Sequence, residues 1–483
     1  MKAVEMSLLK EIPELEILRQ MVKLKKTAVY LIGGFLRDYL IGRPCLDLDF
    51  AVDKNAIGLA RSFAKKITGA FVLLDQEHGC GRVVKKSANG SRTFDFADFR
   101  APTLKGDLLH RDFTINTFCA DLKKIDASTD LADVILDLRQ GKKDLKARVI
   151  RMNSVKAFKE DPLRVLRAFS MKAQLDFKIE PKTMSQVKRD ISLIREVSFE
   201  RVRDEVFKIL ASPRAAENLK AMDKIGLLSE IMPPVTVMYG VKQGGYHHLD
   251  VWAHTLEAVA QFEKVVEEFK DDPDVSAYFR EPIGGDRPRY ALIKLALLLH
   301  DIGKPETRKK EGERYSFHGH EHVGKNIARP LAKALKLSTD ERYALEDMVL
   351  HHLRPGYLSN FKQPSDRMIF RFLRDTRQEA AAILLLSLAD QRATRGPLTS
   401  EADQKHHEKI CVGLVKKYFT KTKEKPFVRL IDGNDLIKEL KLKPSPVFGK
   451  ILGEVDEQQS IGKLTTRAQA LALAQEIIKK VKG

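Results

Sequence analysis

Near the start of the chain, apolar and polar residues follow a pattern that predicts a strand, a tight turn and a short helix. Residues 29–32 form a β-branched and apolar run, which two consecutive glycines interrupt. Residues 35–40 then follow helical spacing and carry Arg37 and Asp38. A strand is therefore expected to lead through a glycine turn into a helix.

A second strand is predicted at residues 46–52, where apolar and polar side chains alternate. Because side chains two positions apart share a strand face, Asp47 and Asp49 are expected on one face and Leu48 and Phe50 on the other. The two acids would lie ~7 Å apart along the strand. That separation suits a pair of divalent ions held ~3.5 to 4 Å from each other by carboxylates, as phosphoryl transfer requires.

The glycine turn and the paired acids indicate a site only in combination. Either feature alone is usually structural, since glycine turns are common and two acids on a strand usually face solvent. On one frame, Gly33 and Gly34 would let backbone N–H groups at a helix start approach a triphosphate, with Arg37 adding charge. The segment 29–52 resembles the nucleotidyltransferase superfamily of DNA polymerase beta, in the branch of bacterial poly(A) polymerases and CCA-adding tRNA nucleotidyltransferases. The resemblance places Asp38 in the nucleotide site as well.

A third acid is expected on the strand predicted at residues 93–99. Asp95 and Asp98 lie on opposite faces of that strand, so only one can join the metal site. The segment DFADFR resembles the family segment that carries a third acid two residues before an alanine. The resemblance implies Asp95, which would help activate the attacking hydroxyl; a helix cap at Asp95 and a surface carboxylate at Asp98 are the structural alternatives.

The pattern also predicts a helix at residues 55–68 and two short strands at residues 71–74 and 83–85.

Residues 107–118, DLLHRDFTINTF, closely resemble the family segment R-R-D-F-T-I-N. Asp112 is expected to cap a helix and to leave Arg111 free for a phosphate. The resemblance implies Arg111, Asp112 and Asn116 in triphosphate and sugar contacts. The segment departs from the family at His110, which replaces the usual first arginine, and at residues 117–118, which replace Ala-Met.

The segment KEDPLRVLRAF resembles the E-D-x-x-R motif of the family. Asp161, Arg164 and Arg167 are spaced by one helical turn, so they are expected to share a helix face. A surface salt bridge is the ordinary explanation of such spacing. The resemblance instead implies that Asp161 accepts from the amino group shared by adenine and cytosine while Arg164 donates to a ring acceptor, which refuses uracil and guanine. In the next family segment, residues 199–210, Arg201 is assigned a structural role.

A second set of metal-type residues follows the Pro- and Gly-rich boundary at residues 231–248. A single histidine on a helix is usually structural, but the ordered series H…HD…H…H…D is rare. Imidazole and carboxylate ligands suit Mn, Fe, Ni or Mg ions that activate water for phosphate ester hydrolysis. The region resembles the HD superfamily of phosphohydrolases, which also includes inactive packing modules. The resemblance implies core ligands His254, His300, Asp301 and Asp390, with His320 and His352 as ligands of a second ion.

Composition favours a polyanionic partner. Lysine and arginine number 85 against 66 acids, which gives a net charge of +19, although an excess of charge can also serve solubility. The segment 433–478 resembles the carboxy-terminal part of bacterial tRNA nucleotidyltransferases, and the lysines of the basic chain from residue 395 onward would contact backbone phosphates. The four cysteines form no C-x-x-C pair, so a reducing cytoplasm is expected. Neither a signal peptide nor a membrane-spanning run is apparent.

These patterns predict an α+β protein. A nucleotidyltransferase domain with a small mixed sheet would precede an all-α neck, an HD-type helical domain and a basic helical domain. The expected ranges are 1–150, 151–235, 236–400 and 401–483.

The resemblance implies a template-independent RNA nucleotidyltransferase that adds AMP or CMP from ATP or CTP to the 3′ end of tRNA and releases pyrophosphate. Two Mg²⁺ ions would bind at Asp47 and Asp49. Partial-CCA and poly(A) addition remain alternatives, because closely similar motifs serve all of these activities. From other classes, the alternatives are an HD phosphohydrolase acting on 2′,3′-cyclic or phosphomonoester ends with an RNA-binding amino-terminal region, and a non-catalytic RNA-binding protein.

Overall fold

The computed structural model describes residues 8–24, 27–87, 90–126, 128, 130–312, 314–423 and 428–482. The chain divides into two compact units at Glu205 and Val206. Each unit has its own core and its own cluster of charged residues, and the two are described separately.

The first unit is built on a six-stranded mixed sheet with the strand order β3-β4-β5-β2-β1-β6. Strands β2 and β5 are parallel, and the other neighbours are antiparallel. A short parallel pair, β7 and β8, lies outside this sheet. The strands are β1 Val29–Ile32, β2 Asp47–Val52, β3 Ala70–Asp75, β4 Cys80–Ser87, β5 Gly90–Asp98, β6 Cys119–Asp121, β7 Val149–Ile150 and β8 Lys178–Ile179.

Helices flank the sheet, and short 3₁₀ turns at Thr114–Asn116, Leu122–Lys124 and Ile191–Glu196 connect them. Among the described residues, the longest helix that lies wholly in this unit begins inside the E-D-x-x-R segment and carries Arg164. The helices are α1 Leu8–Glu11, α2 Pro13–Lys23, α3 Gly34–Leu40, α4 Ala56–Ile67, α5 Leu104–Leu109, α6 Leu131–Val134, α7 Gly141–Ala147, α8 Ala157–Glu160, α9 Leu163–Leu175, α10 Pro181–Asp190 and α11 Phe199–Leu210, whose residues from Val206 onward belong to the second unit.

Aromatic packing beneath the sheet fixes the orientation of β2. Phe50 stacks on Phe96 with ring centroids 4.9 Å apart, and Phe63 of α4 packs edge-on against Phe94 at 5.2 Å. Leu48 is fully buried on the same side. Because strand side chains alternate, burial of these apolar residues directs the acids of β2 to the opposite face.

The second unit is helical, with two small hairpins formed by β9 Pro282–Gly284 with β10 Arg287–Pro288 and by β11 Lys309–Glu311 with β12 Arg314–Ser316. Its 3₁₀ turns lie at Pro233–Met238 and Arg377–Glu379. Its helices are α12 Ala215–Asp223, α13 Leu227–Ile231, α14 Val251–Glu268, α15 Pro273–Arg280, α16 Arg289–Leu299, α17 Lys304–Thr307, α18 His320–Ala334, α19 Thr339–His351, α20 Arg354–Ser359, α21 Asp366–Thr376, α22 Ala380–Ala393, α23 Glu401–Lys423, α24 Gly433–Lys438, α25 Val447–Ser460 and α26 Arg467–Lys482.

Two helices form the centre of the second unit. Residues 291–299 of α16 and 380–389 of α22 are buried on every side, as expected for helices that are almost entirely apolar, and the buried Lys294 ammonium donates to the Ser212 carbonyl oxygen. The last helices, α24 to α26, enclose a separate small core around Leu436, Ile451 and Val455. Among the described residues, every helix is too short or too polar to cross a lipid bilayer.

Candidate active site and candidate metal centre

A cavity of about 300 Å³ in the first unit collects most of the residues predicted to bind a nucleotide. Its polar lining contains as many arginines as aspartates, so it suits a polar ligand that carries charged groups. Asp47, Asp95, Arg37 and Asp38 lie outside the lining. The lining residues are Gly33, Gly34, Asp49, Ala97, Asp98, Arg100, Asp107, His110, Arg111, Asp112, Asn116, Asp161, Arg164, Arg167 and Arg201.

The three acids predicted to bind metal share one face of the sheet. Asp49 and Asp95 are direct neighbours in the parallel register of β2 and β5, and paired residues on adjacent strands point to the same side. Asp47 accepts a hydrogen bond from the Thr93 hydroxyl on the neighbouring strand. Arg82 donates two hydrogen bonds of 2.7 Å to the Asp95 carboxylate. The predicted acids are thus adjacent, and Asp95 has a partner that the sequence did not suggest.

The electrostatic environment of Asp49 is typical of a carboxylate that binds a cation. Burial raises the pKa of its carboxyl to about 6, and the negative charge of Asp95 adds to the effect. Gly33 has φ +78°, a conformation that favours glycine, and a Cβ there would lie 3.4 Å from Asp49 Oδ2. The turn therefore keeps side-chain atoms away from a carboxylate that a bound cation would stabilise.

Arg37 holds neighbouring side chains in place. Its guanidinium donates to both oxygens of Asp38, at 3.0 and 2.8 Å, and Nη1 donates to Asn116 Oδ1 at 2.7 Å. Asn116 in turn donates to Asp112 Oδ1 at 3.0 Å. Arg37 thus lies beside the cavity with its charge paired to Asp38, and its contact with the triphosphate stays a prediction.

Asp112 does not cap a helix as predicted. Phe113 is the residue that precedes the 3₁₀ turn, and the Asp112 carboxylate instead forms an ion pair of 2.7 Å with Arg167. Burial alone would raise the pKa of Asp112, but Arg167 and the Asn116 hydrogen bond outweigh it and hold the pKa below its ordinary value. Arg111 is not free either, since Nη2 lies 3.2 Å from Asp107.

The base-reading residues line the cavity, but they do not share one helix face as predicted. Asp161 lies between α8 and α9 in an extended conformation, with φ −149° and ψ 99°. Pro162 follows it, and the residue before a proline is pushed out of the helical region. Arg164 is buried on α9 and donates to the carbonyl oxygens of Ala157 at 3.1 Å and His110 at 2.5 Å.

The second unit brings together all six predicted HD residues. The ligand atoms form two groups, and within each group they lie within 4.8 Å of one another. His254 Nε2 is 2.8 Å from Asp390 Oδ1, and His320 Nε2 is 3.3 Å from Asp301 Oδ1. The groups are His254, His300 and Asp390, and Asp301, His320 and His352.

Backbone contacts direct the histidine lone pairs into this cluster. The Nδ1 atoms of His300, His320 and His352 each lie 2.8 Å from a carbonyl oxygen three residues earlier. A carbonyl only accepts hydrogen bonds, so Nδ1 carries the proton and Nε2 faces the cluster. The Nε2 atoms of His320 and His352 are 3.2 Å apart, and burial lowers the pKa of His352 to about 3. Two facing lone pairs are stabilised by a cation, so the donor set fits a divalent metal.

Comparison with known proteins decides the family. The Poly A polymerase head domain model matches residues 29–151, the probable RNA and SrmB-binding site of polymerase A matches 176–238, and the HD domain matches 251–395. An A-adding tRNA nucleotidyltransferase of Deinococcus radiodurans is 32% identical over 94% of this chain and 96% of its own length. The chain belongs to the bacterial tRNA nucleotidyltransferase family.

Similarity to other members of the family supports this assignment. A CC-adding tRNA nucleotidyltransferase of Thermus thermophilus is 30% identical over 91% of this chain and 92% of its own length. A solved Thermotoga maritima CCA-adding enzyme, in complex with tRNA, has a TM-score of 0.62 at 20% identity and covers 99% of this chain and 97% of its own. The predicted family and the α+β fold class are confirmed, and the protein is a nucleotidyltransferase of the polymerase beta superfamily, whose members generally depend on divalent metal.

Two side chains at the sites of this nucleotidyltransferase were not foreseen from the sequence. Arg201 lines the nucleotide cavity and forms an ion pair of 2.8 Å with Asp161, although it was predicted to be structural. In the second unit, the buried Lys304 ammonium lies 2.7 Å from Asp301 Oδ2 and donates to Gln243 Oε1 at 2.6 Å. No local spacing signals the contact of Arg201, because the tertiary fold creates it, whereas Asp301 and Lys304 are three residues apart, a spacing that could have suggested their ion pair.

Proposed function

We propose that this nucleotidyltransferase adds nucleotides from ATP or CTP to the 3′ end of tRNA without a template and releases pyrophosphate. The observation that carries the proposal is the partly buried Asp49 beside Asp95, at the wall of a cavity rich in arginine. The acceptor is suggested by the relatives, which are named A-adding and CC-adding tRNA nucleotidyltransferases. Poly(A) addition to general RNA is the alternative within the family.

The acids of the sheet would hold the catalytic metal. Asp47 and Asp49, with Asp95 beside them, offer the hard oxygen ligands that Mg²⁺ prefers, in the two-ion arrangement predicted above. Bound Mg²⁺ supplies charge that stabilises the phosphoryl oxygens as the bond to the leaving group breaks. Gly33 keeps the approach to Asp49 clear, and Thr93 and Arg82 fix the orientation of the other two carboxylates.

The remaining residues would orient the substrates. The RNA 3′-hydroxyl, which would lose its proton with the help of Asp95, attacks the α-phosphorus, the bond from that phosphorus to the bridging oxygen breaks, and pyrophosphate leaves with the negative charge. Arg111 and Arg167 face the cavity from two elements and would neutralise the phosphates. Asn116, fixed between Arg37 and Asp112, would hold the sugar. Each of these groups acts by position and charge, as phosphoryl transfer demands.

Base choice is assigned to Asp161 and Arg164, with Arg201 as a positioning residue. Asp161 presents a carboxylate for an exocyclic amino group, and the ion pair with Arg201 fixes its direction. Arg164 retains donors beyond the two that bind carbonyl oxygens. A base with an amino group beside a ring acceptor, as in adenine and cytosine, satisfies both residues.

Replacement of Arg201 tests this assignment. Arg201→Met is expected to reduce discrimination between ATP and UTP by about two- to fivefold, because a half-exposed ion pair contributes little beyond orientation. The change should appear in KM, with kcat retained. Steady-state kinetics with ATP, CTP and UTP measure it, with Arg189→Met, an exposed arginine of the same unit, as the control. Unchanged selectivity in Arg201→Met would leave Arg201 a purely structural residue.

A four-part organisation of the chain is part of the proposal. Residues 1–150 would form the catalytic head, 151–235 the nucleotide-selecting neck, 236–400 the HD-type region and 401–483 a basic RNA-binding region. The ranges of the matched family models support the first three divisions. The dense lysines at residues 416–423 and 438–443 support the last, because RNA binding depends on phosphate neutralisation.

A second activity, metal-dependent phosphohydrolysis, is favoured by one observation. The Nε2 atoms of His320 and His352 face each other at 3.2 Å, where a Mn, Ni, Fe or Mg ion would relieve their repulsion. A metal held there supplies an activated water for a phosphate ester. The substrate class would be 2′,3′-cyclic phosphates or phosphomonoesters, such as those at damaged RNA ends.

The two activities are separated by their products. With Mg²⁺, tRNA and ATP or CTP, we expect pyrophosphate to appear in proportion to RNA extension. Asp47→Ala with Asp49→Ala should stop this release and leave any hydrolysis of 2′,3′-cyclic phosphate intact. Release of orthophosphate alone, without extension, would contradict nucleotidyl transfer by this chain.

A further inference from the structure

His110 shares a carboxylate with the arginine assigned to base reading. Its imidazole Nδ1 lies 3.3 Å from Glu160 Oε2, and Arg164 Nη1 lies 3.7 Å from the same oxygen. The imidazole is 42% exposed at the cavity rim, whereas Arg164 is 6% exposed. The Glu160 carboxylate therefore lies between a partly exposed imidazole and a buried guanidinium.

The backbone of His110 is also part of this arrangement. Its carbonyl accepts from Arg164 Nη2, and the carbonyl of Ala157 accepts from Nη1. These two bonds fix the plane of the guanidinium, so a change at Glu160 alters how strongly Arg164 donates without moving the side chain. Arg164 thus has a rigid position and an adjustable electrostatic partner.

Charged groups around His110 come from several elements. Glu160 is the charged group in direct contact with the ring. Imidazole ordinarily gains a proton between pH 8 and 5, within the range of a nucleotide-binding assay. The other charged groups facing the cavity are Arg100, Asp107 and Arg111 from the segments beside His110, Asp49, Asp98 and Asp112 from the sheet side, and Asp161, Arg164, Arg167 and Arg201 from the helical side.

We propose that His110 is a specificity-determining residue, which sets the preference between CTP and ATP by competing with Arg164 for Glu160. The proposal rests on the proposed nucleotide site. When His110 is protonated, its ring draws the negative charge of Glu160 away from Arg164, and the guanidinium, still held by the two carbonyl oxygens, donates more strongly to the base. A stronger donor favours the adjacent N3 and O2 of cytosine, whereas adenine offers N1 beside a C–H group. A lower pH therefore favours CTP over ATP.

The experiment measures the dissociation constants of CTP and ATP for the full chain in Mg²⁺, without RNA, by calorimetry at pH 6.0 and 8.0. We expect the ratio Kd(ATP)/Kd(CTP) to rise about threefold at the lower pH, the size expected for a partly exposed charge pair. Effects of pH on the triphosphate cancel in the ratio, because both nucleotides carry the same phosphates.

Variants assign the effect to this residue. His110→Arg, with a permanent charge, should show the low-pH ratio at both pH values, and His110→Gln should show the high-pH ratio at both. His78→Gln removes an exposed histidine of the same unit that is paired with Asp75, and it should retain the pH dependence. A flat ratio in the unaltered protein, or a dependence that persists in His110→Gln, would overturn the proposal. Failure of both nucleotides to bind would instead overturn the proposed function.

Discussion

Asp49→Asn is expected to abolish nucleotide incorporation, with kcat falling by about 10³-fold or more, because one lost metal carboxylate removes several kcal/mol of transition-state stabilisation. The substitution preserves shape and removes charge from a partly buried position beside Asp95. Since burial and that neighbouring charge already disfavour the ionised form, the folded protein should be no less stable without it. Extension of labelled tRNA in Mg²⁺ measures the loss.

A matched control separates catalysis from folding. Asp53 is exposed and directly follows strand β2, which carries Asp49. Asp53→Asn should therefore leave incorporation unaffected. Thermal unfolding of both variants should match that of the unaltered protein within a few degrees. If Asp49→Asn retains a tenth or more of the activity, Asp49 is not a metal ligand in the transition state, and the candidate site is wrong.

Asp301→Asn is expected to remove metal from the second unit and to lower the free energy of unfolding by about 3–5 kcal/mol, the usual cost of leaving a buried charge without its partner. Asp301 is buried, and the Lys304 ammonium lies 2.7 Å from its carboxylate. Asp301 also contacts both His300 and His320, so it joins the two ligand groups. Metal content after gel filtration from Mn²⁺ buffer, and urea unfolding in EDTA, measure the two effects.

His318→Asn is the control for this experiment. His318 is exposed and lies two residues from His320, so metal content and stability should both remain unchanged. The double variant Asp301→Asn with Lys304→Met removes the uncompensated charge and should recover most of the stability without recovering the metal. Metal retention by Asp301→Asn would contradict the assignment of Asp301 as a ligand.

Local sequence patterns predicted the features that depend on residues close together in the sequence. Burial of Leu48 and Phe50 sets the direction of Asp47 and Asp49, because strand side chains alternate and one face must be covered. The glycine turn was also predictable, because Gly33 has a positive φ, which glycine adopts more readily than other residues.

Contacts made through the tertiary fold were beyond the sequence patterns. Arg37 and Asn116 are 79 residues apart, and Asp161 and Arg201 are 40 apart, so no helical or strand period links them. The ion pairs of Arg37 with Asp38 and of Arg111 with Asp107 were also missed, although they join residues only one and four positions apart. The break before α9 was different, because Pro162 was visible in the sequence and predicts an extended residue before it.

Addition of nucleotides to defined RNA ends tests the central claim most directly. The protein is incubated with Mg²⁺, labelled ATP or CTP, and tRNAs that end at the discriminator base, at C or at CC, together with an unstructured RNA, and the products are resolved to single nucleotides. We expect one to three added nucleotides on tRNA, ending at a defined length, and none on the unstructured RNA. Long adenylate tracts on every RNA, or no incorporation on any of them, would contradict the proposed function.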